Sequence, residues 1–350
     1  AGGEVTETIK NGIVDAEVIS PDLMVLGMMS ALLAAGTWLM IATMKGWPVS
    51  TTHSIIGAVI GFAAVGVSTD AVHWDAIGPI VASWVVTPML SGIVAFGLFM
   101  SVQKLIINTD DPFLNAKRFV PLYMFLTGFM VALMTVTKGL KHVGLTLNGG
   151  QGILLAFAIG VLVMLVGIAL LSRIKLDVEA DRTFHYASVE KVFAVLMIFT
   201  ACSMAFAHGA NDVANAVGPL AGGAAEVAAK SAVPGWVLLL GAVGIVIGLA
   251  TYGYKVIATI GKEITELTPS RGFAAELATA TTVVGASAIG LPVSTTHTLV
   301  GAVLGIGIAR GIGALNLGVV GSIFMSWLIT LPAGAILSII FFTILKAIFV

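Results

Sequence analysis

One hexapeptide, Pro-Val-Ser-Thr-Thr-His, occurs twice in the chain, at 48–53 and at 292–297. Proline lacks a backbone N–H and disfavours helix in the residue before it, so each copy predicts a break followed by a new helix. The first turn of that helix offers hydroxyl groups and unpaired backbone N–H groups, which together favour an anion. The hydroxyl residues of both copies are therefore candidate anion ligands: Ser50, Thr51, Thr52, Ser294, Thr295 and Thr296.

A second polar element surrounds Asp212, a carboxylate that lies between two apolar stretches. Ionisable residues inside membrane segments are costly, and by default they indicate a functional site. Asn211 and Asn215 are four positions apart, so a helix would bring both to the same side as Asp212. Oxygens of Asn, Thr and Ser side chains, together with the carbonyls of a broken helix, suit Na⁺, a hard cation. Pro219 and Gly222-Gly223 predict a break in this helix.

Neither motif contains a lysine or an arginine, and the nearest to Asp212 in the sequence are Lys191 and Lys230. An anion bound beside Asp212 would therefore meet a second negative charge, and we expect Na⁺ or H⁺ to bind with it. We expect His53 and His297 to tie their own Ser-Thr-Thr turns in place. Glu276 precedes a long charge-free run and is either a solvated residue or part of the ion path.

The composition excludes a soluble protein. Of 350 residues, 58% are hydrophobic and only 10% are charged, against roughly 25% charged in soluble domains. Nine charge-free runs are long enough to cross a bilayer, which takes about 20 apolar residues. The prediction is an all-α, multi-pass protein of the cell (inner) membrane with about 9–11 transmembrane or half-membrane helices. A net charge of −1 argues against nucleic-acid binding.

An internal repeat sets the predicted architecture. Residues 46–61 and 290–305 are identical at eleven of 16 positions, at an offset of 244. We also match Gly2–Glu7 with Gly261–Glu266. Two-fold membrane repeats usually build transporters with the site between the copies. If about five crossings separate the motifs, the copies are inverted, with broken helices at their interface.

The predicted division of the chain follows from this repeat and from the polar loops. Residues 1–105 form a first repeat that lacks its N-terminal part, 106–191 form connecting helices and loops, and 192–350 form the second repeat. Of three polar connections, Lys104–Arg118 and Arg173–Lys191 carry more Lys and Arg than Lys138–His142, and we expect these two to be cytoplasmic. The sequence is also compatible with a homo-oligomer.

The run Gly-Ala-Asn-Asp-Val-Ala-Asn-Ala at 209–216, together with the two hexapeptides, resembles the inorganic phosphate transporter (PiT) family over nearly the whole chain. The resemblance implies symport of inorganic phosphate with Na⁺ or H⁺ by alternating access, and no enzymatic activity or covalent cofactor. It implies that Asn211, Asp212 and the six hydroxyl residues line the phosphate site. It also implies that Asp212 and Asn215 help to hold cations and that Glu276 matters for transport coupling. The short 173–191 loop is similar to that of prokaryotic members.

The family pattern has an Asn-Asp element in each repeat, and this chain has one. We expect the partner element about 50 residues before Ala1, so that the chain is an N-terminally truncated form that does not transport. The alternative is a true single-element variant with a one-sided site.

Three other functions compete with phosphate symport. One is a sulfate:cation symporter of the same fold, and another is a channel. The third is an intramembrane hydrolase that uses Ser50 or Ser294 with His53 or His297 and Asp212. The duplication argues against the hydrolase, because a catalytic triad needs one serine and one histidine.

Overall fold

The computed structural model describes residues 3–136, 148–183, 186–224 and 233–350, so the predicted Lys138–His142 connection and Lys230 lie outside the described residues. The described part is helical, with one isolated antiparallel bridge between Val14 and Val72. The helices are α1 (Gly3–Asn11), α2 (Pro21–Met44), α3 (Thr51–Gly66), α4 (Trp74–Val102), α5 (Pro112–Met134), α6 (Gly149–Ser172), α7 (Val178–Thr183), α8 (Ala187–Gly223), α9 (Gly235–Ala258), α10 (Pro269–Ala288), α11 (Thr295–Arg310) and α12 (Leu317–Phe349).

Seven of these helices are long and apolar enough to cross a membrane, namely α2, α4, α5, α6, α8, α9 and α12. The shorter α3, α10 and α11 have 16 to 20 residues and pack among them. Apolar side chains cover the outside; on α9, Leu239 and Ile257 are about two-thirds exposed. A helix that exposes such residues is stable only in lipid. The predicted all-α multi-pass membrane fold is confirmed.

Both predicted helix breaks at the hexapeptides are present. Helix α2 ends at Met44 and α3 begins at Thr51, while α10 ends at Ala288 and α11 begins at Thr295. Gly46 and Gly290 end the first helix of each pair with φ of 70° and 73°, a left-handed conformation that glycine adopts without strain. The proline two residues later prevents the helix from continuing.

The break predicted at Pro219 is wrong, because α8 continues through it to Gly223 over 37 residues. Pro219 lies four residues before the end of the helix and removes one helical hydrogen bond. The packing of α1 against α8 supports the continuous helix at this point. The two helices are so close that a Cβ at Gly218 would come within 2.6 Å of Ile9. Asp212 therefore lies inside a continuous helix, eleven residues before its end.

The short helix of each half packs against the long helix of the other half. A Cβ at Gly57 on α3 would lie 2.4 Å from the carbonyl oxygen of Leu331 on α12. A Cβ at Gly301 on α11 would lie 2.2 Å from the carbonyl oxygen of Pro88 on α4. Each glycine begins a Gly-x-x-x-Gly pattern, which lets helix backbones approach closely in lipid. The two halves are thus joined by reciprocal backbone contacts.

A second reciprocal contact fixes how the two halves correspond. The hydroxyl of Thr8 donates to the carbonyl of Gly290 at 2.8 Å, and that of Thr259 donates to the carbonyl of Gly46 at 2.9 Å. Thr8 and Thr259 are 251 positions apart, so the register expected for Gly2–Glu7, an offset of 259, is wrong. Short runs of Gly, Glu and Thr can be matched in several registers, and only the contact selects one. The inversion of the halves and the 1–105, 106–191 and 192–350 division stay predictions.

Candidate functional site

The N-termini of the short helices α3 and α11 meet at one carboxylate, that of Asp212. This residue is 6% exposed. Its Oδ2 atom accepts hydrogen bonds from the hydroxyls of Thr51, at 3.0 Å, and Thr295, at 3.1 Å. These threonines are equivalent positions of the two hexapeptides and begin α3 and α11. The structure thus brings the two copies of the motif together around a single charged group.

The two asparagines extend this cluster in different directions. The amide of Asn215 donates to the hydroxyls of Thr51 and Thr52, both at 3.2 Å, and so holds α8 against the start of α3. The amide of Asn211 donates to the hydroxyl of Ser287 on α10 at 2.9 Å. Each asparagine therefore uses its nitrogen to position a neighbouring helix.

The oxygens of the same side chains have no such partners. Within the described residues, Oδ1 of Asn211, of Asp212 and of Asn215 are buried atoms without a hydrogen bond. A buried polar group left unpaired costs about 1–3 kcal/mol, and more when it is charged. Native proteins rarely leave such groups unpaired, so three within five consecutive residues need an explanation. Hard cations such as Na⁺ take oxygen ligands of this type, so these atoms are candidate ion ligands.

The serines of the hexapeptides cap their helices. Oγ of Ser50 accepts the backbone N–H of His53 at 3.0 Å, and Oγ of Ser294 accepts that of His297 at 3.1 Å. The expectation that the imidazoles tie these turns is wrong, because Nε2 of each ring is buried without a partner. The serine hydroxyl is the shorter group and reaches the N–H three residues on, as N-cap residues do.

Replacing Ser50 or Ser294 by alanine should destabilise the protein equally, because each change removes one N-cap bond. We expect about 1 kcal/mol for each substitution, measured by thermal unfolding of the purified protein in detergent. Ser54→Ala is the matched control, since Oγ of Ser54 is buried without a partner and its loss should cost nothing. A silent change at one cap beside a damaging change at the other would contradict the equivalence.

The fifth residues of the two hexapeptides, Thr52 and Thr296, are placed differently. Thr52 is buried, and its hydroxyl donates to the carbonyl of Val293 in the opposite break at 3.0 Å. Its counterpart Thr296 is half-buried at the start of α11. The asymmetry follows from Asn215, which contacts Thr52. All six predicted hydroxyl residues therefore lie at the two facing helix starts, and their contact with phosphate stays a prediction.

A ladder of four aromatic rings lies next to these helix starts, in the order Trp84, His53, His297 and Trp327. The two imidazole centroids are 4.3 Å apart, and each imidazole lies 3.6–3.7 Å from its tryptophan. The indole N–H of Trp84 donates to the carbonyl of Pro292, and that of Trp327 donates to the carbonyl of Pro48. Each half thus supports the helix break of the other half.

His208 is the site residue that the sequence analysis missed. Its Nε2 lies 2.7 Å from Oδ2 of Asp212, one helical turn away on α8. The sequence argument considered only lysine and arginine as partners of Asp212, and it therefore overlooked a histidine. The i,i+4 spacing of His208 and Asp212 was the available signal. The carboxylate has a titratable partner, and protonation of that partner would change the charge of the cluster.

Glu276 lies outside the cluster. Its Oε2 accepts the hydroxyl of Thr200 at 2.6 Å. It precedes Ser287, which contacts Asn211, by eleven residues of α10, a distance of about 16 Å along the helix. Its role in coupling stays a prediction, and any such role must act over that distance.

The geometry does not form a hydrolase. Nucleophilic catalysis needs a base within hydrogen-bond reach of the serine hydroxyl. Ser50 and Ser294 are bonded to backbone N–H groups, and Nε2 of His53 and of His297 has no partner in the described part of the chain.

Comparison with known proteins agrees with this geometry. Residues 1–338 match the phosphate transporter family. A "Putative phosphate permease" of Haemophilus influenzae is 52% identical over 359 residues, covering 100% of this chain and 85% of that protein. A second of the same description, from Pyrococcus abyssi, is 42% identical and covers 98% and 84%.

A solved structure described as "The sodium-dependent phosphate transporter" superposes with a TM-score of 0.88 at 40% identity. The match covers 99% of this chain and 86% of that one, so it includes both helix breaks and α8. The family match and these relatives extend over nearly the whole length, and the chain is therefore a multi-pass membrane protein that belongs to the phosphate transporter family.

Proposed function

We propose that this protein is a secondary transporter of the cell membrane that moves inorganic phosphate together with Na⁺. The observation that carries the proposal is the set of three buried, unpaired oxygens on Asn211, Asp212 and Asn215. The oxygens on Asp212 and Asn215 hold the cation, and Asn211 together with the facing starts of α3 and α11 holds the anion. The solved relative is described as a sodium-dependent phosphate transporter, and this description supports the same choice of ion.

Electrostatics explains why anion and cation should bind together. Two like charges 4 Å apart repel by about 4 kcal/mol at an effective dielectric constant of about 20. In the described residues, His208 is the basic group within ion-pair distance of Asp212. Phosphate alone would meet this carboxylate, whereas a cation bound by the same carboxylate turns repulsion into attraction. Each ion therefore raises the affinity for the other, which is the condition for symport.

Reciprocal packing gives the site a route to alternating access. Helix α3 is fixed to α12 and α11 is fixed to α4 by the glycine contacts. Movement of α12 therefore carries the start of α3 with it, and movement of α4 carries the start of α11, so both helix starts change position around Asp212. Binding between two repeats near the middle of the bilayer is the arrangement that many secondary transporters use. We propose that the two halves are inverted and move in this way.

Phosphate is favoured over sulfate by a buried acceptor that the cation does not use. Monohydrogen phosphate carries a hydroxyl that can donate to Oδ1 of Asn211, which is buried without a hydrogen bond in the described residues, and the sulfate dianion has none. A site built to bind a substrate hydroxyl rejects an analogue that lacks it, because a buried polar group is left unpaired.

Proton coupling is the second candidate, and the 2.7 Å contact between His208 and Asp212 favours it. Uptake of radiolabelled phosphate into proteoliposomes distinguishes the two ions. Because the sequence predicts that this chain alone does not transport, uptake is also measured with the Haemophilus influenzae relative that is 52% identical. We expect uptake to follow an imposed Na⁺ gradient at equal pH and to stop when K⁺ replaces Na⁺. Excess sulfate should not compete. Uptake driven by a pH gradient without Na⁺ would instead establish proton coupling, and competition by sulfate would contradict the phosphate assignment.

A further inference from the structure

A second polar cavity lies at one end of the helix bundle, where α8 and α10 begin and α4 and α11 end. Its volume is about 360 Å³, and two arginines, Arg271 and Arg310, line it. Arg310 ends α11, which starts at Thr295 beside Asp212. Sixteen residues of helix place the cavity about 22 Å from the central cluster. The cavity is therefore separate from the site proposed above.

The two guanidinium groups converge on one neutral acceptor. Nη1 of Arg271 donates to the backbone carbonyl of Glu266 at 2.9 Å, and Nη1 of Arg310 donates to the same oxygen at 3.4 Å. Arg310 also donates to the hydroxyl of Thr265 at 2.7 Å. Each guanidinium has five N–H donors, so most of the donors remain available. The two positive charges repel each other, because the acceptor that they share is neutral. An anion bound between them would offset this repulsion.

The two carboxylates of the cavity, Glu190 and Glu266, attract Arg271 electrostatically but form no ion pair with it in the described residues. In the described residues, no carboxylate lies within 4.0 Å of either guanidinium, as the ion pairs found there involve other groups. Glu190 instead caps α10: its two oxygens accept the N–H of Ser270, at 2.8 Å, and the hydroxyl of Ser270, at 2.6 Å. Its negative charge is therefore directed at the positive end of that helix. Glu266 is exposed and contributes its backbone carbonyl.

We propose that this arginine pair binds a phosphoryl anion, either inorganic phosphate or the headgroup of an anionic lipid. Planar guanidinium forks match the oxygens of a phosphoryl group and bind them through paired hydrogen bonds. Thr268 also lines the cavity, but its hydroxyl donates to Oγ of Ser270, whose own proton goes to Glu190. The donors available to a ligand are therefore those of the two arginines. The opposite wall is apolar, with Phe99 and Val189, which leaves room for the glycerol of a lipid.

Phenylglyoxal, which modifies exposed guanidinium groups, tests the proposal on the unmodified protein. The purified protein is delipidated in dodecyl maltoside, a detergent without phosphoryl groups, and the modification rate of each arginine is read by peptide mass spectrometry. Inorganic phosphate or a short-chain phosphatidylglycerol is then added. At about ten times its dissociation constant, a bound ligand should slow modification of Arg271 and Arg310 about tenfold. Arg173, which is exposed and outside the cavity, should not change.

The outcomes separate the two sources. Protection by phosphate assigns the site to the free anion, and protection by phosphatidylglycerol alone assigns it to a lipid headgroup. Equal protection by chloride at the same ionic strength, or no protection by either ligand, overturns the proposal. The double variant Thr51→Val, Thr295→Val removes both hydroxyls from Asp212 and keeps the arginines. Loss of protection in that variant would show that phosphate acts through the central site, and it would also overturn the proposal.

Discussion

Asp212→Asn should abolish sodium-driven phosphate uptake while the protein still folds. Asparagine keeps the shape of the side chain, and its oxygen can still accept from Thr51 and Thr295. It removes the negative charge that holds the coupling cation, a loss of about 4 kcal/mol or more at an effective dielectric constant of about 20. Each 1.36 kcal/mol is a factor of ten in rate, so we expect a decrease of roughly a thousandfold.

The measurement is the initial rate of phosphate uptake into proteoliposomes under a fixed Na⁺ gradient. Asp75→Asn is the matched control, because Asp75 is exposed at the start of α4 and far from the cluster in the fold. Gel filtration of each variant in detergent shows whether it remains folded. Uptake by Asp212→Asn at the rate of the Asp75 variant would contradict the proposed cation site.

The sequence was sufficient to predict the two helix breaks and the residues around them. Proline acts on its own neighbours, so the breaks at Pro48 and Pro292 depend on local geometry alone. The duplication adds a second prediction, because equivalent residues of two related halves can contact each other only near the axis that relates the halves. Thr51 and Thr295 meet at Asp212.

Other parts of the site depend on contacts between segments that are far apart in the sequence, which rules about neighbouring residues cannot predict. Pro219 resembles the hexapeptide prolines in sequence, but α8 passes through it because α1 packs against the helix there. The serine caps could have been predicted from the position of Ser50 and Ser294 before a helix. The stacking of His53 on His297 could not, since it depends on how two distant segments are superposed.

The reciprocal glycine contacts make a prediction about assembly of the two halves. Gly57→Ala and Gly301→Ala each add a single carbon, which would lie 2.4 Å and 2.2 Å from a backbone carbonyl oxygen of the facing helix. Ordinary carbon–oxygen contacts are longer than 3 Å, and a carbonyl within a helix cannot turn away. The helices must therefore move apart. This movement would also weaken the hydrogen bonds from Trp327 and Trp84 to the backbone carbonyls in the two helix breaks. We expect each variant to lose about 2 kcal/mol or more.

Thermal unfolding in detergent measures this loss, and Gly248→Ala is the matched control. Gly248 lies within α9 with open space around it, so alanine there meets nothing and improves helix propensity by about 1 kcal/mol. The two contacts are in separate places, and the double variant Gly57→Ala, Gly301→Ala should lose the sum of both effects. If the double variant unfolds at the same temperature as Gly248→Ala, the short helices are not fixed to the opposite halves. Movement of one half would then leave the other helix start in place, and the proposed coupling of both starts around Asp212 would fail with it.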